Sequence, residues 1–482
     1  MRSTTPPPPL GHPSLVLDER SLLGKQLSPC RLFQATLLLL SLLTIAPRVA
    51  AEVYVVDPSG GGDFTRIQDA IESSHHGDTI EVLPGVYRES LFYGGRRILV
   101  RGVEGPGTTI LEGEGAHNLA TFLFGEPREA VLEGFTLRNG RGRPITAPAP
   151  GAPVGDREPH SPASIPFRPI DLTTHPLGAA DSRVALLEES QRMGGTFGGA
   201  IVCMSASPTL RNLVFEDNLA NVGGALAALY AAPLVVDCQF RGNVSGAGGA
   251  LAGSFDGLDV RGCAFSGNSS VFGGAFHGED SRAEFETSSF NDNVAAYGGS
   301  WYLLGTGNPG LVSARHSQFG SNFASDVSGI TARFHDLSVR QSVFWAMWPD
   351  FHVLPAVLVE SADAAVDHCV FQGRNESSTL QCAGGARVDA GCNLFYPGAL
   401  PLACSSDPTN VVADPQFCDA PNGDFHVRVG SPCLPPGSPP GCGPIGIHDT
   451  PGCSEPLARP DPSTEPETRA TRSRAGDGFP GR

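Results

Sequence analysis

Residues 215–240 read Phe215-Glu-Asp-Asn-Leu-Ala-Asn-Val-Gly-Gly-Ala-Leu-Ala-Ala-Leu-Tyr-Ala-Ala-Pro-Leu-Val-Val-Asp-Cys-Gln-Phe240, and the markers in this stretch return at a fixed spacing of 25 residues. Gly-Gly pairs begin at Gly198, Gly223, Gly248, Gly273 and Gly298, followed by Ala200, Ala225, Ala250, Ala275 and Ser300. A second marker, Phe-x-x-Asn, runs Phe215–Asn218, Phe240–Asn243, Phe265–Asn268, Phe290–Asn293 and, after a four-residue insertion, Phe319–Asn322. The phenylalanine alone continues at Phe344, Phe371 and Phe395. Helical repeats need apolar stripes at i, i+3 and i+4, and leucine-rich repeats need a Leu-x-x-Leu-x-Leu frame; the segments between the markers hold neither. They read instead as short strands joined by Gly- and Asn-bearing bends, such as Thr209–Phe215 and Leu234–Phe240. Three strands per repeat make one coil of a parallel β-helix.

Coils stack about 4.8 Å apart, so residues one period apart lie above one another. The phenylalanines are expected to stack inward as a ladder. The asparagines are expected at bends, in a left-handed conformation they tolerate, bonded amide to amide. Two residues before each phenylalanine stands a column of small residues, Leu213, Cys238, Cys263, Ser288, Ser317, Ser342 and Cys369. Cys238 and Cys263 fall on adjacent coils, at a separation that suits either a disulfide or two buried thiols.

Less regular strands upstream (Ile80–Leu83, Ile98–Val100, Ile110–Glu112, Val131–Leu137) bring the expected architecture to an all-β, single-stranded, right-handed parallel β-helix of about eleven coils. A solenoid needs caps over its open ends. Residues 63–72 have an N-cap candidate in Asp63 and apolar residues at Phe64, Ile67 and Ile71, which predicts an amphipathic capping helix. Between Gly140 and Gly194 the period stops; nine prolines from Pro144 to Pro176 predict a loop insertion over 141–194. The expected organisation is a signal peptide and leader (1–51), an N-terminal cap with the first coils (52–140), the Pro-rich insertion (141–194), repeat coils (195–400), a disulfide-rich C-terminal cap (401–453) and a disordered tail (454–482).

The apolar run over residues 36–46, with Lys25 and Arg31 before it and Val49, Ala50 and Ala51 after it, has the layout of a signal peptide and is short for a membrane span; an uncleaved anchor is the alternative. The mature protein is then exported, to the periplasm, the cell surface or the medium, with no stable membrane span. Cysteine usage agrees. Seven of the 12 cysteines lie between Cys382 and Cys453, without the pairing expected of zinc, so disulfides of an oxidising compartment are expected and no metal or cofactor. With 50 acidic against 33 basic residues and a net charge of -17, the chain has no electrostatic footprint for nucleic acid.

The segments Val55–Ile71 and Gly77–Glu89 resemble the opening of pectin methylesterases and other pectin-lyase-fold proteins. The Gly-Gly-Ala and Phe-x-x-Asn repeats are similar to those of polymorphic outer-membrane proteins and bacterial surface β-helix proteins. The endings Asp414-Pro-Gln-Phe, Gly430-Ser-Pro-Cys and Pro444-Ile-Gly also resemble the C-terminal segment of such proteins. The resemblance covers about residues 53–140 and 195–400 and implies a β-helix, often an adhesin or a surface-displayed module. The esterase's Asp-Phe-x-Phe-Gly and Leu-Gly-Arg-Pro-Trp segments do not occur in this sequence. Val366-Asp-His-Cys-Val-Phe371 resembles an Asp-His-Cys-x-Phe strand of pectate lyases, yet it is also what the repeat itself dictates.

Two candidate sites follow. Arg211, Arg261, Arg315 and Arg340 stand four residues before ladder phenylalanines, an outward column that could track a polysaccharide along the axis or simply be a solvated face. Asp367, His368 and His316 lie beside it as weak acid or base candidates. The acids Asp237, Asp259, Glu284 and Glu286 are not expected to share one column. The sequence therefore points to a monomeric, exported β-helix with a non-catalytic surface or periplasmic role, binding carbohydrate or another cell-surface ligand or mediating adhesion. The alternative is a polysaccharide lyase or hydrolase acting on acidic glycans.

Overall fold

A computed structural model of the chain describes residues 51–114, 117–144, 195–307, 309–345, 354–373, 379–401 and 403–453. The expected signal segment, nearly all of the 141–194 insertion and the tail from residue 454 lie outside the described residues. In each turn the chain passes through three long parallel sheets. The first face has 12 strands, from Val53–Val56 to Arg387–Gly391; the second has 12, from Gly85–Tyr87 to Val411–Val412; the third has 10, from Leu91–Phe92 to Leu380–Ala383. A shorter sheet of six strands, ending at Val294–Tyr297, lies between the second and third faces. Register follows the repeat: Leu210, Val235, Val260 and Phe285 are successive partners on the first face, and Phe215, Phe240, Phe265 and Phe290 on the second. Twelve strands on one face bound about eleven turns of an all-β parallel solenoid.

Three stacks fill the interior. From Phe215 through Phe395, successive rings lie 4.5–5.0 Å apart with planes within 10° of parallel. At the next bend, the Nδ2 of Asn218, Asn243, Asn268 and Asn293 each donates to Oδ1 of the asparagine one turn on, at 2.9 Å. The same oxygens accept a backbone N–H, and the remaining Nδ2 protons go to buried carbonyls such as those of Phe215, Phe240 and Phe265. The side-chain amides are thus satisfied without water, as fully buried polar groups must be. The left-handed residue is not the asparagine but the one before it, Asp217, Gly242, Gly267, Asp292 or Ser321. That residue turns the chain, and the asparagine after it aims inward.

The third stack is the small column. Ser288, Ser317 and Ser342 donate their hydroxyls to the carbonyl two residues back, and each accepts the N–H of the preceding turn's residue at 3.3 Å. Cys238 and Cys263 occupy equivalent places as thiols, with the Cys238 N–H pointing at the Cys263 Sγ at 3.4 Å and each thiol against a carbonyl. They form no disulfide: side chains stacked in parallel point the same way rather than towards each other, and both sulfurs take part in the ladder. Glycine pairs turn the chain onto the third face. A Cβ on Gly223, which has φ +65°, would stand 2.2 Å from the Leu226 carbonyl oxygen, and one on Gly224 would stand 2.0 Å from that of Gly249.

Among the described residues a single α-helix, Ile67–Ser73, buries Ile67, Ala70 and Ile71. It starts later than the sequence suggested, because Asp63 is engaged elsewhere, accepting the Val55 N–H. The Glu89 carboxylate instead receives the N–H groups of Ile67 and Gln68 at 2.9 Å, a cap supplied from a distant loop. At the other end, disulfides join Cys382–Cys404, Cys392–Cys442 and Cys418–Cys453. Leu400 and Cys404 pack on the main core, whereas Phe425, Val427, Leu434 and Ile445 lie against Val343, Val370 and Leu394 on the outer flank of the second face. Much of the C-terminal segment is therefore a side brace rather than an end plug. The insertion leaves and rejoins the solenoid at one spot, where Arg143–Pro144 pairs antiparallel with Thr196–Phe197.

Asn268→Ala should strand the Asn243 amide, the Asn243 N–H and the Phe240 carbonyl together. At about 1–3 kcal/mol for each buried group, chemical denaturation should show a loss of at least about 3 kcal/mol. Cys263→Ser, whose hydroxyl can make both ladder bonds, should cost well under half as much.

Candidate functional site

The arginine column is part of a charge ladder. Its register on the first face runs Glu81, Arg101, Glu133, Arg211, Val236, Arg261, Glu286, Arg315, Arg340, Asp367. Arg211 meets Glu133 at 2.5 Å, Arg261 meets Asp259 at 2.7 Å and Arg340 meets Asp367 at 3.1 Å. Arg315 stands between Glu286 and Arg340. Exposed pairs of this kind contribute about 0–1 kcal/mol each, and a column so balanced in sign offers little net attraction to an anionic chain. Asp259 and Glu284 do share a column, as direct partners on adjacent turns, because the stretch between them is one full repeat.

His316 and His368 both occupy left-handed corners, two turns apart, and do not meet. The His368 ring is spoken for: Nδ1 lies 3.0 Å from the Asp367 carboxylate and Nε2 lies 2.7 Å from the Cys442 carbonyl. It ties the C-terminal brace to the solenoid. Among the described residues no group of three or more His, Cys, Asp and Glu side chains is placed to hold a metal ion, and no helix is long and apolar enough to cross a membrane.

A polar knot interrupts the corner between the third and first faces. Asp256 accepts the Ser281 hydroxyl at 2.5 Å and the Arg282 N–H at 3.2 Å. The Ser281 N–H donates to His335 Nε2 at 3.1 Å, across a turn that carries only Gly310 at this point, and His335 Nδ1–H donates to the Asp336 carbonyl. Burial pushes the Asp256 carboxyl up to about 7 and the His335 imidazole down. The knot lies in the wall, with Ser281 and His335 fully buried and Asp256 nearly so.

The outer side of the third face is different. Strand alternation sends Phe276, Trp301 and Ile330 inward and His277, Tyr302 and Thr331 outward, and outward again two residues on at Glu279, Leu304 and Arg333. The six-stranded sheet beside it presents Phe272 and Tyr297, whose rings stack at 5.5 Å. Tyr302 sits at the centre. Its ring lies 5.0 Å from Phe272 and 5.9 Å from His277, the Arg333 guanidinium lies over it at 5.9 Å, and Arg333 in turn holds Glu360 at 2.9 Å. Asp326 closes the end of the six-stranded sheet by accepting the Gly298 N–H at 2.9 Å, in the place where a further strand's carbonyl would be. Burial raises the Asp326 carboxyl, and it holds the His277 imidazole down at about 4, so that this ring is neutral at physiological pH.

Two buried polar atoms of this region, Thr331 Oγ1 and Asp326 Oδ2, have no hydrogen-bond partner among the described residues and are closed off from solvent. Towards the N-terminus the same outward rows become apolar: Val202, Met204, Ala227, Leu229 and Ala252 form a cluster apart from the main core. The outer side of the third face thus packs aromatic rings against one another and sets the carboxyl groups of Glu279, Asp326 and Glu360 beside Arg333, with Tyr302, His277 and Thr331 themselves buried. Reading the sequence by the phenylalanine and asparagine markers missed it. The signal was there two residues after each Gly-Gly-Ala motif's third position, where Val202, Ala227 and Ala252 give way to His277, Tyr302 and Thr331.

No family model and no curated protein matches the chain. Among solved structures, it is similar to pectin methylesterase from carrot, with 10% identity over 76% of this chain and 92% of that one and a TM-score of 0.27. It is also similar to pectin methylesterase PemA from Erwinia chrysanthemi (11% identity, 75% and 92% covered, TM-score 0.25) and to a family 28 exopolygalacturonase from Yersinia enterocolitica (10%, 76% and 77%, TM-score 0.23). Likenesses this distant carry no statement about activity.

Because the Asp256 carboxyl is raised to about 7 in the fold, its contribution is full below the unfolded carboxylate range near 3.8 and is lost as pH rises through 7. Stability of the protein should fall with a slope of up to about 1.4 kcal/mol per pH unit across that window. Asp256→Asn should make that fall shallower, which denaturation midpoints at pH 5 and pH 8 would check against the unaltered protein, where Asp217, Glu279, Asp292 and Asp326 are raised as well.

Proposed function

We propose that this protein is an exported, monomeric β-helix with right-handed winding whose role is to bind carbohydrate at the cell surface, in the periplasm or in the medium, rather than to break it down. One observation carries the reading: exposed aromatic rings flank the third face, Tyr297 stacked on Phe272 and Tyr230 stacked on Phe255. Aromatic faces suit the C–H surfaces of sugars. The three disulfides support export, since such bonds persist in oxidising compartments. The helix Ile67–Ser73 is best understood as the N-terminal cap, with the coils of 195–400 as the functional body and the 401–453 segment as brace and closure. Right-handed winding accords with the near-universal hand of parallel crossovers.

The alternative, an enzyme acting on acidic glycans, draws on the carboxyl groups beside these rings, where burial raises Asp326 and Glu279 and Glu360 is paired with Arg333. Their acidic balance works against an acidic substrate.

With the full-length protein, affinity electrophoresis in gels containing neutral polysaccharides should show retardation, and Tyr297→Ala should weaken it at least tenfold. Absence of retardation across the panel would count against the reading. Incubation with polygalacturonate and alginate, with and without calcium, should release nothing; new unsaturated or reducing ends would establish the enzyme instead.

A further inference from the structure

Strand alternation turns every second side chain of a solenoid wall outward, and on the first face these side chains stand in water: Arg211 and Arg261 are exposed and Val236 is half-buried. One outward row of the third face departs from this along part of its length. It runs Met204, Leu229, Ser254, Glu279, Leu304, Arg333 and Glu360, each the register partner of the next. Met204 and Leu229 are 0% exposed and Ser254 is 3% exposed. Glu279 and Leu304 are half-buried, and the side chains of Arg333 and Glu360 are 34% and 35% exposed.

Met204 and Leu229 do not reach the interior, because their strand neighbours Cys203 and Ala228 fill it. They gather instead with Val202, Ala227, Ala252, Phe197 and Val222 in a separate apolar cluster, to which the described residues add only Leu123. A methionine and a leucine on the outside of a wall, flanked by alanines, need an apolar cover to leave water completely.

The position of the patch names that cover. Phe197 belongs both to the cluster and to the strand on which the insertion returns, where Thr196–Phe197 pairs with Arg143–Pro144. Residues 145–194 therefore begin and end beside the patch, and the burial of the outward row fades with distance from that point. Beyond the prolines that end at Pro176, the insertion carries the apolar run Val184-Ala-Leu-Leu187, with Met193 just before its return. From Leu187 to Gly195 the chain can extend roughly 25 Å at about 3.3 Å per residue, more than the roughly 10 Å rise from Met204 to Ser254.

We infer that the outer patch formed by Val202, Met204, Ala227, Leu229 and Ala252 is the seat of the chain's own insertion, whose returning end covers it with Val184, Leu186, Leu187 and Met193. A tethered segment acts at an effective concentration in the millimolar range, which favours it over any free partner. A second copy of a chain with net charge -17 would also have to approach like charge.

Met204 is the reporter, since oxidation of a thioether follows its access to the oxidant. Hydroxyl-radical footprinting of the full-length protein, read by mass spectrometry, should find Met204 protected. Leu186→Asp combined with Leu187→Asp should raise its oxidation at least tenfold without changing the β-sheet circular dichroism. Replacement of residues 145–194 by a short Gly-Ser linker should do the same. In that linker variant, a peptide of residues 181–194 at millimolar concentration should restore protection, and the same peptide carrying both aspartates should not. Fast oxidation of Met204 in the unaltered protein would show an open face and overturn the inference. Protection that survives in both variants would overturn it too, because another part of the wall would then be the cover. Protection lost on dilution, together with a dimer in sedimentation, would give the patch to a second copy. If the aspartates disrupt the sheet signal, the linker variant and the peptide decide: restored protection upholds the seat, and failure to restore it overturns the seat.

Discussion

Everything in this molecule depends on register. Once the chain turns sharply enough to enclose a narrow interior, each bend leaves amide groups where water cannot go, and such a group is expensive unless it is bonded. The partner nearest to hand is the same position of the next turn. An asparagine can donate upward, accept from below and still bond a carbonyl of its own wall, provided that the residue above is also asparagine and stands in line. A slip of one residue would face every ladder side chain the wrong way. The 25-residue period is the trace of this requirement: the amides, the hydroxyl and thiol row and the stacked rings must repeat together or not at all.

Such a constraint reaches only the inward side. Outward positions are free to vary from turn to turn, and the contrast between faces shows how that freedom is used. On the first face it yields alternating charge that cancels along the column. On the third face it produces a gradient, from alanines and valines near the insertion to histidine, tyrosine and arginine further on. The wall is the same; the chemistry is written on its outer rows.

This division explains what the sequence made legible. Phe215 to Asn322 announce the solenoid because residues with a stacking duty cannot change without loss. Tyr302 and His277 announce nothing, because a single aromatic in a varying column looks like any surface residue until strand alternation places it opposite Phe272. The helix start was misplaced for a related reason: its N–H groups are met by Glu89, a residue 22 positions away from Ile67 that no local pattern connects to it. The pairing of Cys392 with Cys442 likewise depends on the C-terminal segment folding back along a flank. Long-range placement of individual side chains was hidden; the local periodic duty was open to view.

The interchangeability of the turns has an evolutionary corollary. Because the coils from Gly198 to Gly298 present the same upper and lower surfaces, unequal recombination within the coding repeat could delete or duplicate one of them and still leave a sound wall on either side of the join. Lineages carrying such length variants would differ in how much wall they present, while their ends stay unchanged, so the length of the molecule is free to be selected independently of its stability.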